Sequence, residues 1–142
     1  MIKLEHLNLV VKDMKHTLSF YQAAFPHWTI RCQGEGEWFG TYRQWLHFGD
    51  DYQYLTFNDN GLGNNRNLES NHMGLAHFAF VTNNLKAVVD RLAKAGFKVA
   101  KQGTKATYRR NCYFFDPNGY EVEFVEYLSD TPAQRNLSEV SY

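Results

Sequence analysis

From residue 4 to residue 11 apolar and polar positions alternate. Leu7, Leu9 and Val11 fall on one side of an extended chain, and Leu4, His6, Asn8 and Val10 on the other. Period two marks a strand. The period then changes: Asp13 stands where a helix N-cap belongs, and Met14, Leu18, Tyr21 and Phe25 form one apolar stripe that Pro26 ends. Three strands are predicted next, near 28–33, 38–48 and 52–57, with turns at Gly34, at Gly36 and at 49–51. A polar stretch rich in Asn and Gly follows, and such long loops tend to be functional or mobile. Then the pattern restarts. Residues 75–81 form a strand, Asn83 or Asn84 caps a helix with the stripe Leu85, Val88, Val89 and Leu92, and Gly96 is its C-cap glycine. Strands at 97–100, 110–115 and 120–125 close the second copy, the last two joined by a tight turn at 116–119. The polar tail holds a short helix after Pro132 or a frayed end.

The chain therefore reads β-α-β-β-β twice: a first module at 1–59, a linker loop at 60–74, a second module at 75–127 and a tail at 128–142. The fold class expected is α+β, two βαβββ modules forming a cup-shaped mixed sheet with the helices outside. The helix covers one face of each sheet and leaves the other concave.

Composition narrows the function. The 142 residues carry 15 basic and 15 acidic side chains, so no electrostatic footprint for nucleic acid exists. The apolar fraction of 44% fills a core, but no run of apolar residues spans a membrane. The start at Met1-Ile2-Lys3-Leu4-Glu5 lacks the apolar run of a secretory signal, which makes the cytoplasm the expected compartment. Cys32 and Cys112 have no CxxC spacing and are expected as reduced, partly buried thiols.

Strand parity then selects the chemistry. His6 faces away from Leu7, Leu9 and Val11; His77 faces away from Ala76, Phe78 and Phe80; Glu123 faces away from Val122 and Phe124. The two histidines open equivalent strands of the two copies. Two imidazoles and a carboxylate suit a divalent metal with open coordination positions. The plainer alternative is that each histidine is an ordinary hydrogen-bonded residue and that Glu121, Glu123 and Glu126 form one exposed acidic face.

His6 in Leu4-Glu5-His6-Leu7-Asn8-Leu9-Val10-Val11, His77 in Leu75-Ala76-His77-Phe78-Ala79-Phe80, and the segment Asp116-Pro117-Asn118-Gly119-Tyr120-Glu121-Val122-Glu123-Phe124 carry a resemblance. Over residues 1–127 the chain resembles the vicinal oxygen chelate superfamily: glyoxalase I, fosfomycin resistance thiol transferases, type I extradiol dioxygenases and metal-free bleomycin resistance proteins. In that superfamily a turn of this type precedes a strand whose glutamate binds the metal, and Glu123 matches it. The resemblance implies one divalent ion per site (Fe, Mn, Ni or Zn) held by His6, His77 and Glu123. It implies Lewis-acid chemistry on neighbouring oxygens of a small-molecule substrate. It also implies a homodimer, for which exposed strand edges offer a route.

One departure matters. Glyoxalase I places a fourth ligand, usually glutamate, on the last strand of its first module and uses it in proton transfer. With Leu55 and Phe57 facing the core, Tyr54 falls at that position. A neutral phenol, with a reference pKa of about 10, is a poor ligand for a hard ion. A three-ligand site is expected, and the glyoxalase I reaction is disfavoured. The three ligands fit thiol transferases and dioxygenases better, although many such dioxygenases carry four modules rather than two. Tyr54 is then a candidate catalytic group, a phenol that binds substrate, or a packed aromatic. Asn8, Trp45 and Tyr113 are further candidates for lining the substrate site. Arg110 is another, as an anion clamp, unless Tyr108, Arg109 and Arg110 form a solvated basic turn. His16, His27, His47 and His72 have no symmetric partner and read as surface or structural. The competing function is a metal-free cup that sequesters a small aromatic ligand.

Overall fold

The structure is a computed structural model, and it describes residues 1–137. The chain divides into two compact units, Met1–Asn65 and Arg66–Tyr142. The division falls inside the predicted 60–74 loop, which holds no helix or strand.

Unit 1 runs β1 (His6–Val10), α1 (Met14–Ala24), β2 (Thr29–Trp38), β3 (Thr41–Gly49) and β4 (Tyr54–Asn58). Its sheet has the order β1-β4-β3-β2, with β1 parallel to β4 and the other pairs antiparallel. Asp13 caps α1 as predicted, its Oδ1 accepting the His16 N–H at 2.7 Å. The buried stripe keeps only Tyr21 of the predicted one. Thr17, Phe20, Tyr21 and Ala24 are buried, whereas Met14, Leu18 and Phe25 are half-buried. The packed face is the i, i+3, i+4, i+7 row centred on the two adjacent aromatics, which fill more core than Met14 and Leu18 would.

The β2–β3 boundary also differs from expectation. Gly34 and Gly36 are not turns; the strand runs through both, and Gly34 pairs with Trp45. A Cβ at Gly34 would lie 2.8 Å from the Trp45 ring, so the missing side chain is what lets the indole lie across the strand. The turn is at Phe39 and Gly40, with φ of 49° and 76°. Phe39 is a bulky exposed residue in left-handed backbone, a strained choice for a two-residue hairpin. Phe39→Asn is expected to stabilise the protein by about 1 kcal/mol. The urea midpoint measures it, and an unchanged or lower midpoint refutes it.

Unit 2 runs β5 (Phe78–Val81), α2 (Leu85–Lys94), β6 (Lys101–Gln102), β7 (Arg109–Phe115), β8 (Glu121–Tyr127) and α3 (Pro132–Arg135). Its sheet order, β5-β8-β7-β6, repeats that of unit 1, with β5 parallel to β8. Asn84 is the cap, its Oδ1 accepting the Ala87 N–H at 3.0 Å. The strand predicted at 97–100 is displaced to Lys101–Gln102. Gly96, at φ 92°, donates to the Ala93 carbonyl and Phe97 to the Leu92 carbonyl, so Phe97 belongs to the helix-terminating motif. At 116–119 the Asp116 carboxylate accepts the backbone N–H groups of Asn118 and Tyr120 at 2.8 and 3.0 Å, and Gly119 supplies φ 83°. Of the predicted tail, α3 forms after Pro132, and 138–142 lie outside the described residues. Among the described residues no helix is long and apolar enough to cross a membrane.

Neither cysteine is partly buried. Cys32 is exposed, whereas Cys112 is buried on β7, and burial, then the charge of Glu123, pushes its thiol up to about 11. Thiolate is the reactive form. A thiol reagent at neutral pH is therefore expected to label Cys32 rapidly and Cys112 only after unfolding. Rapid labelling of both would contradict the packing of β7 described above.

Candidate functional site

In β8 the side chains of Val122 and Phe124 are buried in the core, which turns Glu121 and Glu123 to the other face of the sheet. Both glutamates are largely covered, their side chains 12% exposed, so the exposed acidic face does not form. Glu126 points elsewhere: its carboxylate accepts the Leu85 N–H at 3.2 Å, at the start of α2. Arg110 goes with Glu126, at 3.8 Å, and not with Glu123. Alternation along β7 fixes this, because Asn111 and Tyr113 take the Glu123 face and Arg110, Cys112 and Phe114 the other.

His77, one residue before β5, brings its Nε2 to 3.1 Å from Glu123 and its Nδ1 to 3.9 Å from Glu121. The Asn111 amide donates to the other Glu123 oxygen at 2.7 Å. The Tyr113 ring meets His77 edge-on, and burial, then the charges of Glu123 and Glu121, holds its phenol above the usual range. Lys101 sits over the Tyr113 ring at 4.3 Å and 3.4 Å from Glu121.

In unit 1 the ladder register puts His6 opposite Tyr54, Asn8 opposite Thr56, and His47 opposite Thr56 on the other side. His6, Tyr54 and His47 stack: the His6 and Tyr54 centroids are 4.7 Å apart, and those of His47 and Tyr54 4.5 Å. Glu5 ties this group together, its Oε1 2.9 Å from His6 Nδ1 and 3.1 Å from the Tyr54 hydroxyl. The two hydrogen bonds, that of His6 first, hold the Glu5 carboxyl below its usual range. Desolvation, then the Glu5 bond, raises the Tyr54 phenol, which disfavours the phenolate that metal binding or base catalysis would need. Burial, then the charges of Arg31 and His6, lowers the His47 pKa and keeps its imidazole neutral. Arg31 reaches the Tyr54 ring, at 4.5 Å, because the β2 ladder shifts register between Ile30 and Cys32. Asn8 accepts from Asn58, which in turn accepts from Arg43. Trp45 borders a groove of about 580 Å³ between α1 and β2–β3, with Met14, Leu18, Ile30 and Leu46 as its apolar lining.

The registers revise one expectation. His6 is opposite Tyr54, and Asn8, two residues on, is opposite Thr56. In the second copy Ala79, two residues after His77, is opposite Glu123. The position equivalent to Glu123 is therefore Thr56, and Tyr54 is equivalent to Glu121. Sequence reasoning missed Glu5, His47, Asn111 and Glu121. For His47 the signal was present: it lies between Leu46 and Phe48, both buried, so it had to face the Tyr54 side.

The family model of the Glyoxalase/Bleomycin resistance protein/Dioxygenase superfamily matches residues 3–124. The chain belongs to that superfamily. Solved structures of the same fold include a glyoxylase/bleomycin resistance protein/dioxygenase domain from Frankia sp. EAN1pec, 17% identical over 96% of this chain and 99% of that one, at TM-score 0.73. A glyoxalase family protein from Bacillus cereus is 16% identical, with 91% and 96% covered and TM-score 0.70. The fosfomycin resistance protein FosX from Listeria monocytogenes, in complex with Mn(II) and sulfate, is 20% identical, with 95% and 98% covered and TM-score 0.63. No curated protein matches the chain.

The FosX structure holds Mn(II), so the donors of this chain are tested for fit to a divalent ion. Among the described residues no three His, Cys, Asp or Glu side chains are grouped so as to hold a metal ion. Glu121 and Glu123 approach different nitrogens of His77 and so do not share one ion with it. The His77–Glu123 pair alone does fit. Its nitrogen and oxygen lie 3.1 Å apart, close enough that both would hold the same ion.

Proposed function

We propose that this protein binds one divalent metal ion through His6, His77 and Glu123 and acts on a small oxygenated substrate that presents two neighbouring oxygens. The observations that support it are the pairing of His77 Nε2 with the Glu123 carboxylate at 3.1 Å in one unit and the Glu5 carboxylate held on His6 Nδ1 in the other. Glu5 lies 2.9 Å from His6 Nδ1, and Glu121 3.9 Å from His77 Nδ1. A carboxylate only accepts, so Glu5 requires the hydrogen on His6 Nδ1 and leaves the Nε2 lone pair for an ion. On His77 the hydrogen that Glu123 accepts from Nε2 is the one an ion would displace.

A bound divalent ion supplies Lewis-acid polarisation of substrate oxygens. The chain's own residues do the rest. Glu5 orients the His6 imidazole, and Asn111 orients Glu123. The His6–Tyr54–His47 stack gives unit 1 an aromatic surface against which an organic substrate packs. Tyr54, kept as the phenol, serves as a hydrogen-bonding group rather than a base. The Mn(II) in the FosX complex makes manganese the first ion to test. The exposed edge strand β2 supports a homodimer.

The test is metal content by mass spectrometry on protein purified without a histidine tag, with thermal melts in Mn, Fe(II), Ni, Zn and EDTA. The expected result is near one ion per chain and stabilisation of about 2.7 kcal/mol at a hundredfold excess over Kd. No metal and no shift with any ion would overturn the proposal. It would favour a metal-free protein that holds an aromatic ligand on the His6–Tyr54–His47 stack.

A further inference from the structure

We propose that Asn111 is a positioning residue that restricts Glu123 to binding the ion through one oxygen; this rests on the reading of Glu123 as a ligand. The two oxygens of Glu123 have different surroundings. Oε2 faces His77 Nε2 at 3.1 Å, and Oε1 accepts the Asn111 amide N–H at 2.7 Å. A free carboxylate binds an ion with one oxygen or with both. The amide hydrogen occupies one of the two lone pairs of Oε1 and holds the carboxylate with Oε2 toward His77, which favours binding through Oε2 alone and leaves a coordination position for substrate.

The amide is seated for this task. Asn111 pairs with Val125, one step along the ladder from the Tyr113–Glu123 pair, on the face that carries Glu123. Its carboxamide fills the space where a side chain at Gly103 would stand: a Cβ there would lie 1.7 Å from Oδ1 and 2.2 Å from Cγ. The Gly103 N–H holds the strand in place through the Asn111 carbonyl at 2.8 Å. The seat is imperfect in one respect. Asn111 Oδ1 is buried with no hydrogen-bond partner, an arrangement that costs free energy. Turning the amide over would set that oxygen against the carboxylate, acceptor to acceptor. The orientation is therefore dictated by Glu123, and the unpaired oxygen is its consequence. A position that served packing alone would favour an apolar residue of similar volume.

Cobalt(II) is the probe, because its visible absorption reports coordination number. Asn111→Leu removes the donor and keeps the volume; Gly103→Ala leaves both polar groups intact and displaces the amide. Each variant is expected to bind Co(II) about tenfold or more weakly. Each is expected to show weaker, shifted visible bands as Glu123 takes a second coordination position. Because both act through one amide, the double variant should be no worse than the poorer single one. Wild-type Co(II) affinity and spectrum in Asn111→Leu would refute the inference and leave the metal reading standing. The same result in Gly103→Ala alone would refute the role of the Gly103 seat. A wild-type protein that binds no Co(II) would refute the metal reading and the inference with it. A loss of apo stability with unchanged Co(II) constants would make Asn111 purely structural.

Discussion

Replacing Glu123 by alanine is expected to abolish tight metal binding while both units stay folded. Glu123 sits in the middle of β8, and its backbone pairs with Ala79 on one side and Tyr113 on the other. Those hydrogen bonds do not depend on its side chain. The core on the far face, Val122 and Phe124, is untouched. What disappears is a carboxylate that meets His77 at 3.1 Å and Asn111 at 2.7 Å. The stability cost is that of two polar contacts on one face of the sheet. A net change within about 2 kcal/mol is expected. The affinity cost is larger. An outer-shell partner is worth roughly 10–100-fold in metal affinity, and a direct ligand must exceed that. Metal titration together with urea unfolding separates the two quantities. Full metal affinity in a folded Glu123→Ala variant would eliminate the proposed ligand set, whatever ion the wild type carries.

Much of this geometry was legible in the sequence, and the reason lies in strand parity. Alternation at Leu7, Leu9 and Val11 placed His6 on the polar face, and burial of Leu9 and Val11 agrees with it. The same rule placed Glu123 opposite Val122 and Phe124. Parity fixes which face a residue takes but not its position along the neighbouring strand. That is why Tyr54 was set at the position that the register gives to Thr56. Glycine misled in β2, because a glycine that makes room for Trp45 looks identical in sequence to one that turns the chain. The contacts that orient the site were out of reach for a different reason. The Arg31–Tyr54 approach follows a ladder shift, and the Asn111–Glu123 bond joins two strands diagonally. Neither leaves a periodic trace. Arg110 illustrates the same limit, since nothing in the sequence marks Glu126 as its partner or as the acceptor of the Leu85 N–H at the start of α2.

The largest stability effect is expected at Phe57. This ring is fully buried in β4, the strand that joins both halves of the unit 1 sheet. In the ladder Leu9 lies beside it on β1 and Leu46 on β3, and both are buried. The Tyr21 ring of α1 packs against it at 5.0 Å between centroids. Phe57 is thus the point where two neighbouring strands and the helix meet. Phe57→Ala removes the buried ring and leaves a cavity that Leu9, Leu46 and Tyr21, each held by its own element, cannot collapse into. The expected cost is about 3–5 kcal/mol, a large part of the 5–15 kcal/mol available to a domain. Phe57→Leu keeps most of the volume and is expected to cost about 1.5 kcal/mol or less. Urea unfolding measures both, and hydrogen exchange locates the damage. Amides of β1 and β4 should lose protection first, carrying with them the strands that present His6 and Tyr54. A Phe57→Ala variant that unfolds with the wild-type midpoint would mean that α1 does not pack on β4 through this ring. The orientation of the whole polar face of unit 1 would then need another basis.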